Sequence, residues 1–145
     1  MQGIARKVGI FVATIMASAA LGATLTGSPA QAAPATCTDA SFGGTYYCGY
    51  GERNFTFSNG TYEVWVIGTD YSIWTRWRSN GSYSSWVNQG GQIRRSYASG
   101  DFVRITCGSN PIIEVVGTDN RWYSNARRTD GSWSGWVLGN TWVCP

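Results

Sequence analysis

Apolar and aromatic runs, separated by polar turns, occur twice along the chain in the same order. In each copy an apolar run, at residues 63–67 and 112–116, leads into a Gly-Thr-Asp triplet at residues 68–70 and 117–119. An aromatic-rich run follows, then an Asn-Gly or Asp-Gly turn, and then a closing Gly-Ser-aromatic-Ser-small-Trp-Val stretch. Short β-branched and aromatic runs of this kind, bounded by such turns, are typical of β-strands and hairpins. The pattern predicts strand, turn, strand, turn, strand in each copy.

The spacing of the two copies defines a repeat. Gly68 and Gly117, which open the two triplets, lie 49 residues apart, and the closing Trp86 and Trp136 lie 50 residues apart. A repeat of this period that consists of strands predicts stacked or radially arranged β units. Outside the N-terminal segment, no stretch has the apolar 3.6-residue rhythm of a substantial helix.

The N-terminal residues have the pattern of an export signal. Arg6 and Lys7 supply the charged end, residues 8–25 are apolar or small, and residues 30–32 read Ala-Gln-Ala, which fits a cleavage site. The alternative is a retained membrane helix, which the polar and glycine interruptions and the small-residue exit disfavour. We therefore expect a signal peptide at residues 1–32, a secreted protein, and no membrane association after signal removal.

The remaining chain divides into three segments. We expect an N-terminal extension with a disulfide loop and an opening strand at residues 33–61. The first repeat and a linker occupy residues 62–100, and the second repeat with a C-terminal closure occupies residues 101–145.

Four cysteines form an even set in an exported chain, and this predicts two disulfides. We favour Cys37 with Cys48, because they close a short loop, and Cys107 with Cys144, because this bond ties the tail to the second repeat. The other two pairings remain open. No pair forms a C-x-x-C motif and the chain has no histidine, so we expect neither a metal site nor a cofactor.

Composition narrows the choice of partner. Without the signal, nine Arg stand against eight Asp plus Glu, so the net charge falls from +3 to about +1. This balance argues against nucleic acid or an anionic membrane as a partner, because both favour clustered positive charge. All eight Trp and all eight Tyr follow residue 32. So many aromatic residues on a secreted β protein predict a displayed surface for recognition.

The two copies resemble the blade repeat of bacterial and tachylectin-like β-propeller lectins. The resemblance rests on residues 62–91 and 101–140, which read as apolar strand, G-T-D, aromatic-rich strand, small-residue turn and a closing motif similar to G-W-S-x-W. It implies an all-β fold with two antiparallel propeller-type blades. A closed propeller usually has at least four blades, so we expect a homo-oligomer to complete the ring. The alternative is a small two-sheet sandwich joined by the disulfides.

The same resemblance implies carbohydrate binding, and the residue types are suitable. Sugars place C–H patches on aromatic rings, while their hydroxyls need planar donors and acceptors. We name Trp74, Arg76, Tyr123 and Asn125 as ligand-binding candidates. Aromatic character is kept between Trp74 and Tyr123, whereas Arg76 is replaced by Asn125 at the matching position, so we expect the two sites to differ.

Four other repeated residues are assigned structural roles. We expect Asp70 and Asp119 to accept backbone N–H bonds within their turns, as Asx turns do. We expect Trp86 and Trp136 to pack between blades.

Two other functional classes remain as alternatives. A protein-interaction or inhibitory module could use the same aromatic surface, because Trp, Tyr and Arg also dominate protein interfaces. A glycoside hydrolase needs a pair of carboxylates, and Glu52, Glu63, Asp101 and Glu114 are weak candidates for such a pair. Without histidine, the usual Ser-His and Cys-His pairs are impossible. We therefore expect a binding protein with no enzyme activity.

Overall fold

Three antiparallel sheets make up the part of the chain that the computed structural model describes, residues 33–128 and 130–139. The predicted all-β class is confirmed. The strands are β1 (Thr36–Thr38), β2 (Thr45–Tyr47), β3 (Arg53–Thr56), β4 (Tyr62–Ile67), β5 (Ile73–Ser79), β6 (Ser82–Tyr83), β7 (Val87–Asn88), β8 (Phe102–Cys107), β9 (Asn110–Val116), β10 (Trp122–Ala126) and β11 (Val137–Leu138). Two short 3₁₀ helices lie at Cys48–Tyr50 and Ser99–Asp101.

The strands form an N-terminal hairpin and two larger sheets. The hairpin consists of β1 and β2. The first sheet has the order β3-β4-β5-β6, with β7 also paired to β5, and the second sheet has the order β11-β10-β9-β8. Strands β3, β4, β5 and β7 therefore match β8, β9, β10 and β11, and each larger sheet corresponds to one copy of the sequence repeat. The predicted signal segment, residues 1–32, lies outside the described residues.

The two larger sheets also share their register. Val64 opposes Arg76 in the first sheet, and Ile113 opposes Asn125, 49 residues later, in the second. At the outer edge, Thr75 opposes Val87 and Ser124 opposes Val137. The repeated sequence has therefore produced the same pairing twice.

Both faces of the first sheet are covered. Trp65 and Ile67 belong to a buried cluster with Ile113 and Val115 of the second sheet. On the opposite face, Val64 and Val66 pack with Phe42 and Tyr46 from the N-terminal segment. The hairpin, the first sheet and the second sheet are therefore stacked as successive layers. Within the described residues no sheet closes on itself, and this layering also fits the sandwich alternative.

One predicted disulfide is present. Cys37 and Cys48 are bonded, with an S–S distance of 2.04 Å. This bond joins β1 to the residue that follows β2, so it closes the hairpin. The second predicted pairing stays a prediction, because Cys144 and the side chain of Cys107 lie outside what the structure describes. No helix within residues 33–128 and 130–139 is both long and apolar enough to cross a membrane.

Candidate ligand-binding hollows

The two Gly-Thr-Asp triplets form matching turns at the ends of β4 and β9. The N–H of Gly68 donates to the carbonyl of Ser72 at 3.0 Å, and the N–H of Gly117 donates to the carbonyl of Arg121 at 2.8 Å. Each turn includes a residue in the left-handed region, Tyr71 with φ 64° and Asn120 with φ 63°. The turns therefore point the next strand back along the sheet in the same way.

The aspartates of these turns hold the aromatic ring four residues later. Asp70 accepts a hydrogen bond from the backbone N–H of Ser72 at 3.0 Å and another from the indole N–H of Trp74 at 3.1 Å. Asp119 accepts one from the N–H of Arg121 at 3.1 Å and one from the hydroxyl of Tyr123 at 2.9 Å. Each carboxylate thus fixes both its own turn and one aromatic side chain.

These hydrogen bonds keep the two carboxyls ionised. Burial alone raises the pKa of Asp70, but the hydrogen bonds from Ser72 and Trp74 outweigh it, and the pKa is lowered. The pKa of Asp119 is lowered in the same way: desolvation raises it, and the bonds from Tyr123 and Arg121 lower it more strongly. Both turns therefore carry a negative charge at neutral pH.

Glycine is required at the start of each triplet because the aromatic ring lies against it. A Cβ atom on Gly68 would lie 2.7 Å from Cδ1 of Trp74, and one on Gly117 would lie 2.8 Å from Cε2 of Tyr123. Both distances are shorter than a carbon–carbon contact allows. The missing side chain thus makes room for the ring.

A second aromatic residue joins each turn to the preceding layer. Trp86 packs on Gly44 of the N-terminal segment, where a Cβ atom would lie 2.9 Å from Nε1 of the indole. Trp136 donates from its indole N–H to the carbonyl of Gln89 at 2.7 Å and lies beside Gly91. In both cases a glycine of the preceding layer receives the indole.

These parts enclose two equivalent open cavities. The first hollow has a volume of about 360 Å³, and its lining consists of Val66, residues 68–70, Trp74 and Trp86 from the first sheet, with Gly44 and Thr45 from the N-terminal segment. The second hollow has a volume of about 300 Å³, and its lining consists of Val115, residues 117–119, Tyr123 and Trp136, with Gly91 and Gln92 from the link. Each hollow therefore lies where a sheet meets the layer before it.

The chemistry of the two hollows is the same in kind. Each combines two aromatic rings, one carboxylate and the threonine of its Gly-Thr-Asp turn, and among the described residues no Arg or Lys lines either of them. Aromatic faces suit apolar C–H surfaces, and the oxygens accept hydrogen bonds from hydroxyl groups. The arrangement favours a neutral ligand that is rich in hydroxyl groups over an anion.

The structure brings two of the four ligand-binding candidates into the hollows. Trp74 and Tyr123 line them, whereas Arg76 and Asn125 do not. The guanidinium of Arg76 donates to the carbonyls of Ser84, at 2.7 Å, and Phe42. Asn125 is 2% exposed and accepts a hydrogen bond from the hydroxyl of Ser134 at 3.2 Å. Both polar side chains thus connect layers and turns within the protein.

Sequence reasoning missed the contribution of the preceding layer. Gly44 and Thr45 complete the first hollow, and Gly91 and Gln92 complete the second. The sequence did contain a signal, because a Gly-Gly pair occurs at residues 43–44 and again at residues 90–91. Trp86 and Trp136, which we expected to pack between blades, line the hollows.

The two most buried glutamates lie away from both hollows. Glu63 is on the face of the first sheet that meets the second sheet, whereas strand alternation places Glu114 on the far face of the second sheet. Burial raises the pKa of both carboxyls. Within the described residues, no group of three or more His, Cys, Asp or Glu side chains could hold a metal ion.

Comparisons with known proteins give no family. No model of a known protein family matches the chain, and a search of curated proteins finds no match.

Proposed function

We propose that this is a secreted carbohydrate-binding protein in which each hollow holds one neutral sugar unit, without catalysis. The observation that carries the proposal is the repetition of one constructed site: the same glycine, threonine, aspartate and pair of aromatic rings form a cavity twice. A core position has no reason to leave space beside an ionised carboxylate. A binding site does leave such space when its ligand needs both an aromatic face and a hydrogen-bond acceptor.

The dimensions and polarity support a single sugar ring. Volumes of about 360 and 300 Å³ fall at the small end of the roughly 300–1,000 Å³ typical of ligand sites. The rings of Trp74 and Trp86 line the first hollow, and those of Tyr123 and Trp136 line the second. The aspartates keep lone pairs for ligand hydroxyls, because an ionised carboxylate accepts about four hydrogen bonds.

We further propose that copies of the chain pack together through the second sheet. Ile105, Trp122 and Val137 are among the exposed large apolar side chains, and their register places all three on the face turned away from the first sheet. In the first sheet the matching face is covered by the second sheet, and Ile73, which matches Trp122, is buried. The centre of this face, at Ile112, Val116 and Ser124, is already buried within the chain. A second copy would cover the exposed side chains around it and extend the stack toward a ring of blades.

Glycan binding is tested with an array of neutral and acidic glycans and with variants of each hollow. We expect Trp74→Ala and Tyr123→Ala each to abolish one class of binding site, counted by calorimetry, while Tyr83→Ala, an exposed aromatic residue outside both hollows, leaves both intact. Release of reducing sugar from the bound glycan would contradict the absence of catalysis. Binding to a protein partner with indifference to every glycan would favour an interaction module.

Self-association is tested by the mass of the protein in solution. We expect an assembly that dissociates in Trp122→Ser and persists in Tyr83→Ser, the matched change of an exposed aromatic residue on the opposite side of the stack. A monomeric parent protein would contradict the proposed ring but not the sugar sites, since each hollow is formed within one chain.

A further inference from the structure

A third hollow, of about 340 Å³, lies at the opposite ends of the strands from the first two. Three segments meet there: the turn between β3 and β4, the turn between β8 and β9, and the residues after β10. They contribute Phe57 and Asn59, Ser109 and Asn110, and Arg127 and Arg128, respectively. No Gly-Thr-Asp turn takes part, so this hollow is a different kind of site.

Its charge is positive, unlike that of the other two. Arg127 and Arg128 line it, and no Asp or Glu does so among the described residues. Within that part of the chain, the one ion pair joins Arg94 and Asp101. Two carboxyls act on them through space, Glu63 on Arg127 and Asp130 on Arg128. Both guanidinium groups therefore keep donors for a ligand.

Aromatic rings hold one of these guanidinium groups in place. The Cζ atom of Arg127 lies 5.8 Å from the ring centre of Phe57 and 5.4 Å from that of Trp133. Its Nε atom is buried and has no hydrogen-bond partner among the described residues. A stacked, planar guanidinium is preorganised to bind a carboxylate through two parallel N–H bonds.

The rest of the lining supplies neutral polar groups. The side-chain oxygen of Asn59 accepts the backbone N–H of Thr61 at 3.0 Å, which leaves its amide N–H groups as donors. Ser109 and Asn110 add hydroxyl and amide groups on the other side. These groups are suited to the hydroxyls of a sugar ring, which a simple anion does not have.

We propose that the third hollow binds a carboxylate-bearing sugar of the uronic acid type. The carboxylate bonds to the guanidinium groups of Arg127 and Arg128, and the ring hydroxyls bond to Asn59, Ser109 and Asn110. This inference does not depend on the function of the first two hollows, because it uses none of their residues.

The test is a titration of the ¹⁵N-labelled protein with D-galacturonate, D-galactose and sodium acetate, followed by NMR. We expect galacturonate to shift the backbone amides of Asn59, Asn110 and Gly131, while the amides of Gly68 and Gly117 stay in place. Galactose lacks the charge and acetate lacks the hydroxyls, so each should bind at least about tenfold more weakly. Equal shifts from acetate would show that only the charge is recognised, and equal shifts from galactose would show that the arginines are not used; either overturns the proposal.

Two variants test the arginines. Arg128→Gln, at an exposed position, should weaken galacturonate binding about tenfold or more, and Arg127→Lys should weaken it although the charge is kept, because lysine has no planar fork. Arg78→Gln, also at an exposed position but on the first sheet, is the matched control and should bind as the parent does. Undiminished binding by Arg128→Gln would overturn the proposal, and so would an absence of galacturonate-induced shifts in the parent protein.

Discussion

The first and second sheets have the same strand order and the same register, yet they differ where their faces meet different neighbours. Trp65 in the first sheet corresponds to Glu114 in the second. Trp65 is fully buried against the second sheet, whereas Glu114 lies on the face turned away from the first. The hollows, by contrast, keep the same Gly-Thr-Asp turn and two aromatic residues each. The repeat therefore fixes the turns and the hollows, while the interior of each sheet follows the layer that covers it.

The largest expected effect concerns the core between the first and second sheets. Trp65→Ala should lower the free energy of unfolding by about 3–5 kcal/mol, because it empties the space that the indole fills between the two sheets. Urea denaturation measures the change. Trp122→Ala removes an indole that is 39% exposed. In dilute solution it should therefore lower the free energy of unfolding by much less than Trp65→Ala does. Equal losses would mean that the two sheets do not share a core.

A smaller loss of stability is expected when a substitution adds a methyl group beside the aromatic ring of a hollow. Gly117→Ala should lower the free energy of unfolding by about 1–3 kcal/mol, because its Cβ atom overlaps the ring of Tyr123. Gly68→Ala should do the same through Trp74. Each variant should lose sugar binding in its own hollow only, as followed by indole fluorescence during a titration. Gly100→Ala is the control, because its Cβ atom would have nothing within 4 Å.

A subtler change is expected when one hollow is given the aromatic residue of the other. Tyr123→Trp replaces a hydroxyl donor to Asp119 with an indole N–H, which is the donor that Asp70 receives from Trp74. The sugar affinities of the two hollows should become more alike, as calorimetry with a panel of monosaccharides can show. A preference that does not move would indicate that Gln92 and Thr45, rather than the ring, distinguish the hollows.

The smallest expected effect is a change in the pH dependence of stability. Burial raises the pKa of Glu63, although the hydroxyl of Thr75 and the charge of Arg127 oppose the shift. The folded state therefore holds this proton more tightly than the unfolded state. The stabilisation is complete below the ordinary pKa of 4.5 and is lost as the pH rises through the raised value. Glu63→Gln should remove this decline, as thermal unfolding between pH 4 and pH 8 would show.

Asp130→Asn serves as the control of opposite sign. Hydrogen bonds from Ser132 lower the pKa of Asp130, so its contribution to stability is present at neutral pH and is lost as the pH falls. The two variants should therefore bend the pH profile in opposite directions. A decline with rising pH that persists in Glu63→Gln would place its origin elsewhere, for instance at Glu114.

Much of the fold could be predicted from the sequence because its signals are local. The apolar runs at residues 63–67 and 112–116, the Gly-Thr-Asp turns and the Asn-Gly turn at residues 80–81 each determine structure within a few residues. The bond between Cys37 and Cys48 was predictable for the same reason, since it closes a short loop. What these signals describe is the path of each sheet.

The location of the hollows could be predicted only in part. Trp74 and Arg76 do share one face of β5, as strand geometry requires. The sequence could not show that Phe42 lies over that face and that its carbonyl accepts a hydrogen bond from the guanidinium of Arg76. Asn125 is buried for a similar reason, because the turn at Ser134 folds back onto it. Contacts between layers depend on residues that are distant in the chain, and single-residue patterns do not record them.

Each hollow is completed by a glycine of the preceding layer, Gly44 in one case and Gly91 in the other. The number of hollows therefore equals the number of interfaces between successive layers rather than the number of sheets. A repeat taken out of the chain would carry only part of a cavity, and every further repeat placed after an existing one would add a whole cavity. The number of binding sites in such a protein increases as layers are added. Several weak sites on one rigid stack can bind a branched ligand far more tightly than any one of them alone.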